Sequence, residues 1–347
     1  MLCTYAHLLI QEVNKIKDSQ IKQYARQLAT KYQDQLSKQS DVVLSITLNE
    51  KALQNLMKDF KARSDLLNSI NWITVKDAAG GKFLGALKGT TTGRKQEGRN
   101  RSIMEYGETY KTCEIDSGVQ ISWRLIDELE VTQENFEELF TQLTENQFIL
   151  DMLQIGWHGE SQAVNTQAED LSDVTKGWLA QLKEQNPANI ITGGKSADKI
   201  VLFTEKADYK NLDELAIALR NKLPAEYQEL NDLVFLVGAE LASKANANIK
   251  GAHLYSENNG MNNLYLSNYF GGMPAIIPPQ FPRKCAVVTT LKNLSIYTQK
   301  NSCHRSIYND ENTGDYISAY LRSECYVVEN LDLMAAIEHK NVEFSDA

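Results

Sequence analysis

The stretch TQENFEELFTQLTENQFILDMLQI, residues 132–155, decides how this chain is organised. Thr132 is a favoured N-cap residue, and the acids that follow it suit the positive end of a helix dipole. Apolar residues from Phe136 to Leu143 recur at helical spacing, whereas residues 148–155 are apolar on almost every side. A helix with this pattern begins on the surface and ends inside a core. At about 1.5 Å per residue it would span roughly 36 Å, so we predict a long spine helix here.

The chain has 347 residues, enough for one elaborated domain or two ordinary ones. Hydrophobic residues make up 42% and charged residues 23%, as in a globular protein, and no apolar run approaches the length of a membrane span. We therefore expect no membrane partner. The net charge of -9 argues against nucleic-acid binding by the whole chain, but it leaves a local basic patch open.

The cysteine pattern favours a reducing compartment. Five cysteines are scattered, odd in number and without a C-x-x-C spacing. That pattern argues against a disulfide framework or a zinc site and favours free thiols in the cytosol. The first ten residues also lack the basic region and the cleavage site of a secretory signal, so we expect no signal peptide.

The first 40 residues are polar with a narrow apolar stripe at helical spacing, which predicts a helical segment. Such a stripe cannot fill a core alone and needs a partner surface. Two interpretations remain open: a peripheral helix packed on its own domain, and a detachable assembly segment. A short extended stretch and a second helix, about residues 49–68, follow.

A glycine-rich tract lies between two strand-like runs and predicts a long β-hairpin arm over residues 73–123. The tract holds too many glycines for a packed element, so we expect the tip of the arm to be mobile. Its centre is basic, with Glu97 as the opposing acid. The cations are Lys82, Lys88, Arg94, Lys95, Arg99 and Arg101.

Beyond the spine the chain mixes helices and strands, which indicates an α+β protein. The pattern predicts an amphipathic helix over residues 212–223 and a buried strand over residues 232–237. The last third is rich in strands, and the clearest runs from Tyr316 to Val328 with strict alternation. A short helix is expected at residues 333–339.

No residue pattern indicates catalysis, a cofactor or a metal site. Gly93 is followed by Arg94, not by the lysine of a phosphate-binding loop, and the histidines show no metal-ligand spacing. Cys303 directly precedes His304, and adjacent residues of a strand point to opposite faces, which argues against a Cys–His dyad. We therefore expect no enzyme.

Several collinear blocks resemble the major capsid protein of contractile-tailed bacteriophages of the Peduovirus type. These blocks are residues 173–174, 177–179, 232–238, 273–275, 291–297, 304–305 and 326–329, together with the spine and the glycine at its end. The resemblance covers about residue 44 to the carboxyl terminus. The chain departs from the family in its first 40 residues, in the glycine tract, and at Asn330, where an acid is usual.

The resemblance implies the tailed-phage capsid fold named for phage Hong Kong 97. Residues 1–43 would then be an amino-terminal helical segment that is removed on maturation. The implied parts that follow are an N-arm at 44–72, the extended β-hairpin arm at 73–123, a peripheral domain at 124–199 and 286–347 that contains the spine, and an axial domain at 200–285.

The implied function is that of a head-shell subunit that self-assembles, as hexamers and pentamers, around phage double-stranded DNA. The implied partners are a scaffolding protein that carries a protease, a portal protein, and DNA bound non-specifically. The subunit would occupy the host cytoplasm before assembly and the virion head afterwards. Two alternatives are an encapsulin-like shell and a cytosolic nucleic-acid-binding protein that uses the basic hairpin.

Two sets of residues are predicted to act in assembly. The hairpin cations would meet an acidic surface on a neighbouring copy, because complementary charge steers association and fixes register. That surface comprises Asp127, Glu128, Glu130, Glu134, Glu137 and Glu138.

Maturation cleavage is expected in the region marked by Ser37, Ser40, Val43 and Ile46, where the polar segment ends and the family resemblance begins.

Overall fold

A computed structural model describes residues 43–82, 92, 94, 109–122, 124–125, 133–195, 198–204, 206–245, 269–310 and 312–344. The principal helices are α1 (Glu50–Arg63), α2 (Asp65–Ser69), α3 (Gln133–His158), α4 (Trp178–Gln185), α5 (Leu212–Arg220), α6 (Ala225–Gln228) and α7 (Ala239–Lys244). The first eight strands are β1 (Val43–Thr47), β2 (Asn71–Val75), β3 (Ala79–Gly81), β4 (Thr109–Lys111), β5 (Cys113–Ser122), β6 (Ile190–Ile191), β7 (Ile200–Leu202) and β8 (Leu233–Val237). The later strands are β9 (Tyr269–Phe270), β10 (Met273–Ile276), β11 (Ala286–Thr290), β12 (Leu294–Gln299), β13 (His304–Asp310), β14 (Asp315–Val328), β15 (Ala335–Ile337) and β16 (Val342–Phe344).

The predicted spine helix is confirmed as α3, which runs 26 residues. Its final turns are buried as the apolar pattern requires, with Met152 and Leu153 fully inaccessible. Farther toward its start, the buried face differs from the expected one. Leu143 is 55% exposed, while Thr144 is buried between Phe140 and Phe148 in the four-residue spacing of one helix face.

The chain divides into two compact units. Unit 1 takes Met1–Phe60, Glu114–Ile149 and Gln299–Ser323; unit 2 takes Lys61–Cys113, Leu150–Thr298 and Glu324–Ala347. Some elements, including α3 and β14, contribute residues to both.

Unit 1 contains antiparallel strands in the order β1, β13 and the first part of β14. Its core surrounds the Tyr320 ring, which lies 6.3 Å from the ring of Phe60 and 5.8 Å from that of Phe148. The guanidinium groups of Arg305 and Arg322 lie 5.9 Å and 4.8 Å from the same ring centroid. These fully buried arginines interact with the ring through cation–π contacts, each worth about 0.5–2 kcal/mol.

Unit 2 contains two larger β arrangements. In one, β12 lies between β2 and the second part of β14. In the other, the strand order is β6, β15, β11, β8, β10 and β9, and every residue of β8 and β11 is buried. The predicted strand over residues 232–237 and the predicted helix over residues 212–223 are confirmed as β8 and α5.

The expected short helix at residues 333–339 is wrong. The chain forms strand β15 there, because Ala335 and Ala336 pair with β11 while Ala336 and Ile337 pair with β6. Alanine favours helices in isolation, but pairing on both sides within a buried sheet overrides that preference.

The glycines at the end of α3 allow a close backbone crossing within unit 2. A Cβ at Gly159 would lie 2.0 Å from the carbonyl oxygen of Thr175, and one at Gly177 would lie 2.4 Å from that of Gly156. The Gly177 amide donates to the Gly159 carbonyl at 2.9 Å. The crossing places Trp178 beside Trp157, with ring centroids 4.6 Å apart.

Candidate assembly surface

The base of the glycine-rich tract forms a β-hairpin in unit 2. Strands β3 and β4 pair antiparallel, with Gly80 opposite Tyr110. One residue beyond β4, the Thr112 amide donates to the carbonyl of Ala78 at 2.8 Å. The residues on either side of the segment at 83–108 are therefore paired with each other.

Two side chains fasten this base to the sheet that contains β12. The ring of Tyr110 packs edge-on against Tyr297, with centroids 5.0 Å apart at an interplanar angle of 70°. The Lys82 ammonium donates to the carbonyl of Val328 at 2.8 Å, and the residue is only 7% exposed. Partial burial also raises the pKa of Tyr110.

Buried carboxylates fix the sheet below the hairpin base. Glu329 accepts hydrogen bonds from the Ser295 hydroxyl at 2.5 Å and from the Tyr297 hydroxyl at 2.9 Å. Tyr297 therefore has its ring under Tyr110 and its hydroxyl on Glu329. Glu329 is thus satisfied by several donors, as a buried carboxylate must be, and its hydrogen bond to Tyr297 helps to position the hairpin base.

A second chain of hydrogen bonds joins β2 to the same sheet. The Trp72 indole donates to the Thr298 hydroxyl at 2.8 Å, and that hydroxyl donates to Glu324 at 2.8 Å. Glu324 is fully buried. The strand that leads into the hairpin is thus fixed in register by side chains as well as by its backbone.

The predicted hairpin cations have different surroundings. Arg94 is exposed, whereas the ammonium group of Lys82 is occupied within its own subunit. Lys88, Lys95, Arg99 and Arg101 lie outside the described residues.

The predicted acidic surface is described only in part. Glu134, Glu137 and Glu138 lie in the first turns of α3, and their side chains are outside the described part of the chain, as are Asp127, Glu128 and Glu130. The described residues therefore neither bring the acidic and basic sets together nor separate them.

The predicted cleavage region is also described only in part. Ser37 and Ser40 lie outside the described residues, whereas Val43 and Ile46 belong to β1. Every residue of β1 pairs with β13, with Val43 opposite Tyr308 and Ile46 opposite Arg305.

The Cys303–His304 pair is not arranged as a dyad. The Cys303 thiol is fully buried and accepts a weak hydrogen bond from Tyr320 at 3.9 Å, while His304 Nδ1 lies 3.0 Å from the Thr47 hydroxyl.

Within the described ranges, no group of three or more His, Cys, Asp or Glu side chains is placed to hold a metal ion. Among the same residues, no helix combines the length and apolarity needed to cross a bilayer.

A polar cleft in unit 2 has no signal in the sequence. Its volume is about 510 Å³, and it lies beside the end of α3, between α4 and β15. Three ion pairs line it, with nitrogen–oxygen distances of 2.5–2.7 Å; they are Lys176–Glu184, Lys183–Glu338 and Lys340–Glu160. The partners of each pair are 8 to 180 residues apart, a spacing that no local pattern reveals.

Six of the charged groups that line this cleft are paired with one another. Burial acts to raise the pKa of Glu338, but the hydrogen bond and charge of Lys183 outweigh it and leave the pKa lowered. Burial lowers the pKa of His339. Charges that are paired in this way indicate a structural cleft rather than a ligand site.

Comparison with known proteins gives a consistent result. The family model described as "Phage major capsid protein, P2 family" matches residues 20–340. The "Capsid proteins" of Escherichia phage P2 are 26% identical over 308 residues, covering 84% of this chain and 85% of that protein. The "Major capsid protein" of Serratia phage KSP20 is 26% identical over 304 residues, covering 82% and 86%.

The fold also matches a solved assembly. A chain from the structure "Satellite phage P4 procapsid including size determination (Sid) protein" superposes with a TM-score of 0.70 at 24% identity, covering 85% of this chain and 92% of that one. The family match begins at residue 20, whereas the resemblance was expected from about residue 44, so the similarity extends into the predicted amino-terminal segment.

Proposed function

Because the chain belongs to the P2 family of phage major capsid proteins, we propose that its basic hairpin is the arm by which one head-shell subunit binds the neighbouring subunit. The chain is a head-shell protein with a mixed helix–strand capsid fold. Neither an encapsulin-like shell nor a cytosolic nucleic-acid-binding protein is favoured by these comparisons. We propose no enzymatic role.

The observation that carries the proposal is the fastening of the hairpin base. Lys82 and Tyr110 hold β3 and β4 on the sheet of unit 2, and this contact requires no partner. An arm with a fixed base presents its outer residues to a neighbour at a reproducible position, which lowers the entropy lost on contact. Lys82 is therefore left out of the surface proposed to meet the neighbour.

The receiving surface on the neighbour is proposed to be the acidic start of α3 and the residues that precede it. Exposed ion pairs contribute only about 0–1 kcal/mol each, so several must act together. Their main effect would be on the rate and register of association rather than on affinity. The contact is heterologous, and heterologous contacts build closed rings when the rotation between neighbouring subunits closes.

The arrangement proposed for the whole subunit is that of the Hong Kong 97 type. It has an N-arm at residues 44–72, an extended hairpin arm at 73–123, a peripheral domain at 124–199 and 286–347, and an axial domain at 200–285. The long helix α3 would be the spine of the peripheral domain. The proposed partners are a scaffolding protein with a protease, a portal protein and packaged double-stranded DNA. Before assembly the subunit would be located in the host cytoplasm.

Maturation is proposed to remove residues that precede β1. The pairing of Val43 through Thr47 with β13 makes β1 a poor protease substrate, because cleavage needs an accessible backbone. We therefore place the cut on the amino-terminal side of Val43, within residues 37–42.

Charge reversal tests the hairpin contact. Replacing Arg94, Lys95, Arg99 and Arg101 by Glu should leave the subunit folded and block shell formation in electron micrographs. Adding Glu134→Lys, Glu137→Lys and Glu138→Lys in the same chain should restore part of the shell yield, since the attraction is re-formed with its sign exchanged.

A control matches the change in net charge. It reverses four exposed lysines elsewhere, Lys51, Lys58, Lys206 and Lys222, and should affect the yield less than the hairpin variant does. If the hairpin variant builds normal shells and loses only DNA retention, the arm contacts DNA and the proposed protein contact is wrong.

A further inference from the structure

The connection between α3 and α4 is long and has its own internal order. Residues 159–177 contain neither a helix nor a strand, although they join two packed helices of unit 2. Connections of this length without secondary structure are uncommon in compact domains, and ordered ones usually serve a function.

Backbone hydrogen bonds close the two limbs of this loop against each other. The Glu160 amide donates to the Ser172 carbonyl at 2.7 Å, and the Ala163 amide donates to the Asp173 carbonyl at 2.8 Å. The Asp173 carboxylate accepts from the amides of Gln167 and Ala168 at 2.6 and 3.1 Å. The loop is thus pre-organised, and little conformational entropy remains to be lost on binding.

Neighbouring elements hold the base of the loop. Gln154 on α3 donates to the Asp170 carbonyl at 3.1 Å, and Lys340 pairs with Glu160 at 2.7 Å. No side chain fits at Gly159 or Gly177, where the two ends of the loop cross. A displacement of the loop would therefore break contacts with α3 as well as with residues near the carboxyl terminus.

The tip of the loop has an unusual composition for an exposed surface. Residues 161–167, SQAVNTQ, are all exposed and include no charged side chain, although 23% of the chain is charged. Val164 is 99% exposed. Depletion of charge together with an accessible apolar group is typical of the centre of a protein interface.

We infer that the loop tip centred on Val164 is an interface with a second copy of this chain. The inference rests on the chain's role as a head-shell protein, because a closed assembly is built from repeated contacts between copies of one subunit. A tip without cations cannot neutralise phosphates, so it is unsuited to bind packaged DNA. An uncharged tip can also approach differently charged surfaces without like-charge repulsion, which suits repeated contacts in a shell.

Photo-crosslinking tests this interface in assembled shells. With p-benzoylphenylalanine at position 164 of the full chain, irradiated shells should give covalent dimers of the subunit on a denaturing gel. The unassembled subunit at the same concentration should give only monomer. Intact shells that yield no chain-to-chain crosslink, or that crosslink only to another protein, would overturn the inference while leaving the shell function in place.

A substitution pair tests the same contact if the bulky probe prevents assembly. Val164→Thr keeps the shape without charge and should assemble as the wild type does, whereas Val164→Asp should lower the shell yield at least tenfold. Equal melting temperatures of the two unassembled variants would exclude a folding defect. Normal assembly of Val164→Asp would refute the inference, and a yield equally low for Val164→Thr would refute it as well.

Discussion

Lys82→Met separates a contact inside the subunit from a contact between subunits. Lys82 lies at the base of the basic hairpin, and the sequence groups it with cations expected to meet a neighbour. In the structure its ammonium donates to the Val328 carbonyl at 2.8 Å and the side chain is 93% buried, so removing it should weaken the subunit itself. Methionine keeps the unbranched apolar stem and removes the charge and the donors.

The size of the effect follows from that hydrogen bond. A hydrogen bond to a charged group contributes about 1.5–3 kcal/mol, and the loss leaves the Val328 carbonyl buried without its donor. For a unit of this size, 1 kcal/mol changes the melting temperature by about 2–4 °C. We therefore expect Lys82→Met to lower the melting temperature of unit 2 by about 3–12 °C.

Differential scanning calorimetry of the soluble subunit measures this change. Lys111→Met is the matched control, since Lys111 lies on β4 of the same hairpin base but is exposed. It should melt within about 1 °C of the wild type, because exposed substitutions rarely exceed about 0.5 kcal/mol. The reasoning fails if Lys82→Met melts at the wild-type temperature but does not assemble, because its partner would then belong to the neighbouring copy.

The remaining predictions concern the loop base, a buried thiol and maturation. Gly177→Ala brings a Cβ to 2.4 Å from a backbone oxygen of α3 and should lower the free energy of unfolding by about 1–3 kcal/mol. The control Gly118→Ala, whose Cβ would have no atom within 4 Å, should be neutral or stabilising. Urea unfolding compares the two variants, and equal midpoints would contradict the close crossing. Burial raises the pKa of Cys325 from 9.0 to about 12, so its contribution to stability is complete below about pH 9 and declines as the pH rises toward 12. Above pH 9 the wild type should lose about 1.4 kcal/mol per pH unit more than Cys325→Ala, and parallel pH profiles would disprove this. Intact-mass analysis of mature heads should give a subunit that begins within residues 38–43, and a mass that includes residue 1 would exclude cleavage.

The spine was predictable because its signal is local and long. Residues 132–155 combine an N-cap, early acids and a continuous apolar end, and the helix extends to His158 as that pattern suggests. The exposure of Leu143 was not predictable, because apolar spacing does not show which of two adjacent faces meets a core. Thr144 lies on the buried face, and its place there depends on packing in unit 1 that the sequence does not encode locally.

The hairpin base was predictable in outline but not in its contacts. Glycine content and flanking strand patterns predicted a hairpin over residues 73–123, and the antiparallel strands β3 and β4 occur within that range. Lys82 looked like the other cations of the tract because its hydrogen-bond acceptor, Val328, is 246 residues away. The α3–α4 loop contains resemblance blocks at residues 173–174 and at Gly177, but no short-range pattern indicates its internal order, which comes from hydrogen bonds between its two limbs.

Strand β14 shows why long-range pairing matters for a shell subunit. Along much of its length the buried face carries polar and aromatic residues, including Arg322 and Glu324, whereas Ile317 and Leu321 are only half-buried. Hydrophobic burial cannot stabilise such a face, so it needs specific partners: in unit 1 Arg322 donates to Ser117 at 2.8 Å, and in unit 2 Glu324 accepts from Thr298 at 2.8 Å. A shift of one residue would move every one of these groups to the opposite face and leave them unsatisfied. The polar face therefore selects a single register, and a single register is what a shell needs if every copy is to present the same surfaces to its neighbours.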